Sequence, residues 1–277
     1  MTIVRRPLAL LCLCFLVFSA NPARAQTAAA PYEPRMGQQG KDVVWIPSPT
    51  GMVEKMLDMA RVTPRDFVVD LGSGDGRNVI AAAKRGARAL GVEYNPDLVE
   101  LSKRAAVSAG VADKASFVQG DIFKSDFSSA TVITMFLLTE INLKLRPRIL
   151  DLNPGTRIVS NTFAMGAWVA DRIITVEEDC QGYCIAYLWI VPAKVEGRWQ
   201  LPRGEIHVQQ SFQKVNGTMK SDAGSLEIRD GRLEGNRITF SAGDTEYIGH
   251  VAGNRIDGIA RTNAGTANWT ATKIDHP

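Results

Sequence analysis

Between residues 66 and about 162, short apolar runs alternate with stretches of helical period. Phe67-Val68-Val69-Asp70, Ala89 to Glu93, Ser116-Phe117-Val118, Thr131 to Leu138 and Arg157-Ile158-Val159-Ser160 read as five strands. Arg77 to Arg85 is Ala-rich and helical. Asn95-Pro96 starts another helix, with Asn as cap and Pro at the first helical position, and Leu98, Leu101 and Ala105 share one side. Glu140 to Leu152 predicts a helix that Pro147 kinks or breaks. Strands without a polar face, separated by helices, predict a parallel sheet covered on both sides.

The flanks differ. Residues 26–40 are rich in Ala, Pro, Gly and Gln and read as a linker. Val43 to Ile46 is a short extended piece, and Pro47 and Pro49 follow it. A helix then places Val53, Met56, Leu57 and Ala60 at helical spacing and ends at Pro64. After residue 165, Ile173 to Val176 and Tyr183 to Val191 predict two strands with a tight link near Gly182, able to close the same sheet as an antiparallel hairpin. From about residue 194 no helical period remains. Short alternating segments lie between regularly spaced glycines, and Asn216-Gly217 and Asp230-Gly231 read as hairpin turns. The expected organisation is a leader over residues 1–25, a linker over 26–40, an α/β domain over 41–192 and a small all-β meander, barrel or sandwich, over 193–277.

Composition narrows the class. With 45% hydrophobic and 22% charged residues in 277, the chain is neither disordered nor fibrous. No apolar run after residue 25 approaches the ~20 residues that span a bilayer. Arg5 and Arg6, the apolar stretch Leu8 to Ala20, and Ala23-Arg24-Ala25 before Gln26 have the form of an export signal, so a periplasmic location is expected. The alternatives are an uncleaved membrane anchor and a buried N-terminal helix. Arg5, Arg6 and Arg24 also account for the net charge of +3: without them 29 Lys and Arg stand against 29 Asp and Glu. A nucleic-acid partner is therefore not expected. Cys12 and Cys14 lie in the leader. Cys180 and Cys184 either pair, as an oxidising compartment allows, or remain two free thiols. His207, His250 and His276 share no ligand spacing, so no metal site is expected.

The chemistry concentrates in Asp70-Leu71-Gly72-Ser73-Gly74-Asp75-Gly76, where the first strand meets the first helix. Glycines there allow backbone to approach a ligand, and the following helix offers unpaired N–H groups. The dinucleotide spacing G-x-G-x-x-G is not met, and a carboxylate at Asp70 suits a cationic ligand group better than a pyrophosphate. Glu93 ends the second strand, where a carboxylate can accept two ribose hydroxyls. Asp121 and Ile122 follow the third strand, where they suit an adenine amine and ring. One acid per strand end describes a pocket for an amino acid, a ribose and an adenine, that is, S-adenosylmethionine.

These motifs, DLGSGDG, GVEYNPD and QGDIF, resemble those of the class I S-adenosylmethionine-dependent methyltransferases over roughly residues 41–191. The resemblance implies a Rossmann-like seven-stranded sheet whose last two strands form a hairpin. It implies Asp70, Gly72, Ser73, Gly74 and Gly76 near the methionine part, Glu93 and Tyr94 at the ribose, and Asp121 with Ile122 at the adenine. WIPSPT at 45–50, Met52 to Met59 and FLLTEINLKLRP at 136–147 resemble the branch that holds mitochondrial lysine methyltransferases. There the stretch before the first strand helps close the cofactor site, which points to Trp45, Pro47 and Thr50.

The expected acceptor is a protein lysine or a small molecule. Glu140 and Asn142, after the fourth strand, are candidates for the acceptor pocket, with a helix cap as the alternative. The Asn/Asp-Pro-Pro-aromatic motif of methylation at exocyclic base amines is absent; Phe136-Leu137-Leu138-Thr139 stands there. Two competing readings are an exported scaffold that binds through its β domain, and a nicotinamide-dependent oxidoreductase.

Overall fold

The computed structural model describes residues 1–2, 32–177, 180, 182–222 and 224–274. The leader, apart from Met1 and Thr2, and residues 26–31 of the linker lie outside them, as does His276. Chain contacts divide residues 1–33 from residues 34–277, and all that follows concerns the second unit.

Seven strands form the first sheet: Phe67–Leu71 (β1), Arg88–Glu93 (β2), Ala115–Gln119 (β3), Val132–Met135 (β4), Arg157–Asn161 (β5), Arg172–Thr175 (β6) and Ile185–Ile190 (β7). Their order is β3-β2-β1-β4-β5-β7-β6, and β7 runs antiparallel to both neighbours while the others are parallel. Side chains alternate across a strand. Val68 therefore joins one core, under Thr50–Met59 (α1), Arg77–Lys84 (α2) and Pro96–Ser108 (α3). Val69 and Leu71 join the other, under Thr139–Leu150 (α4). Asn95 caps α3 as its sequence predicts, accepting from Asp97 N at 2.9 Å.

Three local expectations are corrected. The fourth strand is four residues long, because the chain leaves the sheet at Phe136, and Phe136 and Leu137 line a cleft. α4 is not broken at Pro147 but continues to Leu150. Burial of Leu145 and Ile149, each worth about 1.5–3 kcal/mol, offsets the lost helical bond. Within the segment 43–46, Val44 makes a single bridge to Gln39. The link between β6 and β7 is not tight but spans residues 176–184, within which Cys180 and Cys184 are disulfide-bonded.

The second half is a closed eight-stranded barrel of Gly197–Leu201 (β8), Gly204–Ser211 (β9), Lys214–Ser221 (β10), Gly224–Glu234 (β11), Arg237–Ala242 (β12), Thr245–Ala252 (β13), Arg255–Thr262 (β14) and Gly265–Lys273 (β15). Each strand pairs with its successor, and β15 closes on β8. Eight strands leave an interior that side chains fill. Trp199, Leu233, Ile238, Phe240, Ile256 and Trp269 fill it. Trp269 thus sits in a core. Neither Asn216-Gly217 nor Asp230-Gly231 is a turn. Gly217 sits inside β10, where a Cβ would stand 1.9 Å from His207 O, and Asp230-Gly231 forms a bulge in β11. In both places glycine serves close backbone approach rather than chain reversal.

The barrel is fastened to the sheet by directional contacts. Arg232 donates to Asp171 Oδ1 at 2.5 Å, Gln213 Nε2 donates to Val169 O at 2.7 Å, and Phe212 stacks on Trp168.

Candidate active site

The loop 72–76 folds back over the end of β2, with Gly72 N and Ser73 N both donating to Val92 O. Gly72, Gly74 and Gly76 all hold positive φ. Space is as restrictive as conformation. A Cβ at Gly76 would stand 2.7 Å from the Phe117 ring, and one at Gly74 2.7 Å from Trp45 Nε1. Gly91, on β2, is bound in the same way, since its Cβ would meet Ser73 Oγ at 2.5 Å. Ser102 of α3 donates to Gly74 O at 3.0 Å and pins the loop from behind.

A cleft of about 970 Å³, its open mouth included, lies over this loop at the carboxyl ends of β1, β2, β3 and β4. That is the location expected for a ligand in an open α/β sheet. Gly72, Ser73, Gly74, Glu93, Tyr94, Asp121 and Ile122 line it. Glu93 accepts from Gly74 N and Asn95 N, both at 2.9 Å, so one carboxylate joins the glycine loop to the start of α3. Asp121 accepts from Lys41 Nζ at 3.0 Å and Phe123 N at 2.9 Å. These two bonds hold its carboxyl below the usual carboxylate range.

Asp70 and Gly76 are not on the wall. Asp70 is 1% exposed and lies behind the loop, accepting from Thr134 Oγ1 at 2.6 Å and from Asn78 Nδ2 at 3.2 Å. Desolvation raises its pKa to about 7, against the pull of those two donors. Asn78 does line the cleft, and its Oδ1 is buried without a partner. Asp70 therefore acts on the cleft through Asn78.

The segment before α1 forms the opposite wall. Gln38, Lys41, Trp45, Ile46, Pro47 and Ser48 all line the cleft. Bonds between Gly37 N and Trp45 O and between Trp45 N and Gln38 O make it a small hairpin. Arg77 donates to Ser48 O at 2.5 Å, and Asn161 Nδ2 to Ser48 Oγ at 3.1 Å. Trp45 and Pro47 are on the wall; Thr50 starts α1 and is not. Lys41 and Thr134 carry no signal in the sequence, because each acts on a residue far off in the chain, 80 and 64 positions away, and Asn78 carries none because no local period marks it.

Neither acceptor candidate reaches the cleft. Glu140 is exposed in the first turn of α4. Asn142 is fully buried, and its Nδ2 donates to Phe163 O at 3.1 Å. On that side the cleft is bounded by Phe136, Leu137 and Ile141.

Residues 70–172 match the ANTKMT methyltransferase domain. A protein-lysine N-methyltransferase of Saccharolobus islandicus is 40% identical over 152 residues, covering 54% of this chain and 94% of that protein. The ATP synthase C-subunit lysine N-methyltransferase of Homo sapiens is 33% identical over 171 residues, covering 61% of this chain and 70% of that protein. Among solved structures, an RNA methyltransferase from Salinibacter ruber in complex with S-adenosyl-L-homocysteine is 45% identical. It covers 54% of this chain and 96% of that one, with a TM-score of 0.51. The glycine loop, the acids at successive strand ends and these likenesses agree: the chain belongs to the class I S-adenosylmethionine-dependent methyltransferases, related to the mitochondrial lysine methyltransferases.

Proposed function

We propose that the enzyme methylates the side-chain amine of a protein lysine, and that it does so after export. One observation carries the site assignment. Glu93 and Asp121, at consecutive strand ends, share a cleft with Gly72 and Gly74, where no side chain stands between backbone and ligand. The residues fit S-adenosylmethionine: Glu93 accepts from the ribose hydroxyls, Asp121 and Ile122 receive the adenine, and Asn78 offers an unpartnered oxygen to a donor on the amino-acid part. The cofactor supplies an activated methyl group on a sulfonium.

The chain's own task is alignment and exclusion of water. A lysine must lose its proton before it attacks, and its ordinary pKa is ~10.4. No carboxylate among the described residues borders the cleft on the Phe136 side. Phe136, Leu137 and Ile141 instead desolvate the amine, which favours its neutral form and sends the proton to solvent. A lysine acceptor is supported by the activities named for the two relatives above. An RNA acceptor has the named activity of the Salinibacter ruber protein in its favour. The equal numbers of basic and acidic residues after residue 25 favour the protein.

Export is supported by the leader-like residues 1–25 and by the Cys180–Cys184 bond, which suits an oxidising compartment. The test is transfer of radiolabelled methyl from S-adenosylmethionine to cell-envelope extract, with calorimetry of cofactor binding beside it. Label recovered as methyl-lysine supports the reading. Label in RNA transfers the function to the second acceptor. Absence of binding by folded protein removes it. Fractionation of the C-terminally tagged chain tests location, and recovery in the cytosol alone overturns export.

A further inference from the structure

Beside the cleft, three aromatic rings meet that come from three separate loops. Phe136 follows β4 and lines the cleft itself. Phe163 follows β5 and Tyr183 precedes β7. The Phe136 ring stacks on Phe163 with centroids 5.9 Å apart and meets Tyr183 edge-on at 5.1 Å; Phe163 and Tyr183 are 6.3 Å apart. The cluster is not a buried core, because Tyr183 is 41% exposed and the two phenylalanines are half-buried.

The backbone holds two of these rings in sparsely populated conformations. Thr162, just before Phe163, has φ 62°, and Phe163 N donates to Asn161 O across it at 2.7 Å, forming a γ-turn. Tyr183 itself has φ 60°. Non-glycine residues at positive φ are uncommon and collect at ligand-binding sites. Phe163 is fixed further, since its carbonyl accepts from Ser160 Oγ at 2.8 Å and Asn142 Nδ2 at 3.1 Å. Asn142 is thus a positioning residue for Phe163. Tyr183 stands next to Cys184, whose bond to Cys180 closes the loop that carries it.

Faces of aromatic rings attract alkylammonium groups, and their edges and faces pack on aliphatic stems. A lysine side chain has both parts. We infer that Phe136, Phe163 and Tyr183 form the acceptor subsite, which takes the lysine stem between rings and leads its amine along Phe136 into the cleft. The inference rests on the lysine reading above and adds its specificity: a third transfer leaves the nitrogen with no proton to lose, so it stays cationic, and the rings retain it.

The test uses the full chain saturated with S-adenosyl-L-homocysteine. Acetyl-trimethyl-lysine methylamide is titrated against its neutral analogue, in which carbon replaces the charged nitrogen. Wild type is expected to bind the cation about tenfold more tightly than the neutral probe. Tyr183→Leu is expected to reduce that ratio to about threefold or less, Phe163→Leu likewise, and Tyr183→Phe to retain it. All three should keep the affinity for S-adenosyl-L-homocysteine, which reports a folded cleft. Equal binding of the two probes, no binding of the cation, or an undiminished ratio in Tyr183→Leu overturns the subsite and leaves the methyltransferase reading intact. Failure of wild type to bind S-adenosyl-L-homocysteine removes the function reading instead.

Discussion

Replacing Asp70 by Asn should change stability with opposite sign at the two ends of the accessible pH range, because the substitution removes a titrating group. The Asp70 carboxyl has its folded-state pKa raised from 3.8 to about 7, chiefly by desolvation. Between those values the folded chain keeps a proton that the unfolded chain has released, so stability falls as pH rises. At 1.36 kcal/mol for each pH unit, the loss by pH 8 is about 4 kcal/mol. Asparagine cannot ionise, so the variant lacks this slope. It can still accept from Thr134, but it points an amide NH₂ at the Asn78 amide, a mispairing worth about 1–3 kcal/mol. Urea unfolding from pH 4.5 to 8 should therefore give two curves that cross: wild type more stable at the acidic end, Asp70→Asn more stable by about 1–3 kcal/mol at pH 8. A constant difference across the range refutes the titration of Asp70 in this window. The same charge ties the residue to function. A sulfonium in the cleft favours the ionised carboxylate, so binding of S-adenosylmethionine near pH 7 should release a proton from wild type and not from Asp70→Asn, as calorimetry in buffers of different ionisation enthalpy would read.

Three further variants bear on other parts of the molecule. Gly74→Ala places a side chain at φ 54° against the Trp45 indole and should destabilise by about 1–2 kcal/mol, seen as a fall in Tm of about 2–8 °C, with weaker cofactor binding; an unchanged Tm would show that the loop relaxes freely. Glu93→Gln removes a charge-assisted acceptor, so cofactor affinity should fall about 10- to 100-fold by calorimetry while the fold persists; full affinity would dissociate Glu93 from the ribose. Replacing both Cys180 and Cys184 by Ser opens a five-residue loop and should lower stability by about 2 kcal/mol in the chain-entropy model; if Tm matches wild type, the bond does not constrain the unfolded chain.

Much of the cofactor half could be read from local pattern. The strands of the parallel sheet are short runs with no polar face, and their register places Asp70, Glu93 and the loop before Asp121 at one rim without further information. The glycine loop, Glu93, Asp121 and Ile122 all fall where strands end, and strand ends are a local property. Asp70 shows the limit. Its position near the end of β1 is legible, but not that its side chain turns inward to Asn78 and Thr134, because burial depends on what packs over it. Glu140 and Asn142 were singled out for following β4, yet Glu140 is solvated and Asn142 is spent on the Phe163 carbonyl.

Apolar periodicity determined from sequence alone the sheet, its covering helices and the all-β character of the C-terminal part. Only tertiary structure decided that the β part closes into a barrel, that Asn216-Gly217 and Asp230-Gly231 lie within strands, that Lys41 reaches Asp121, and that Phe136, Phe163 and Tyr183 meet. The physical reason is one of range. A strand or helix is stabilised by residues a few positions apart, so its signal is written in neighbours. A closing ladder, an ion pair across 80 residues or a cluster from three loops depends on how finished elements pack, and no short window of the chain contains that information.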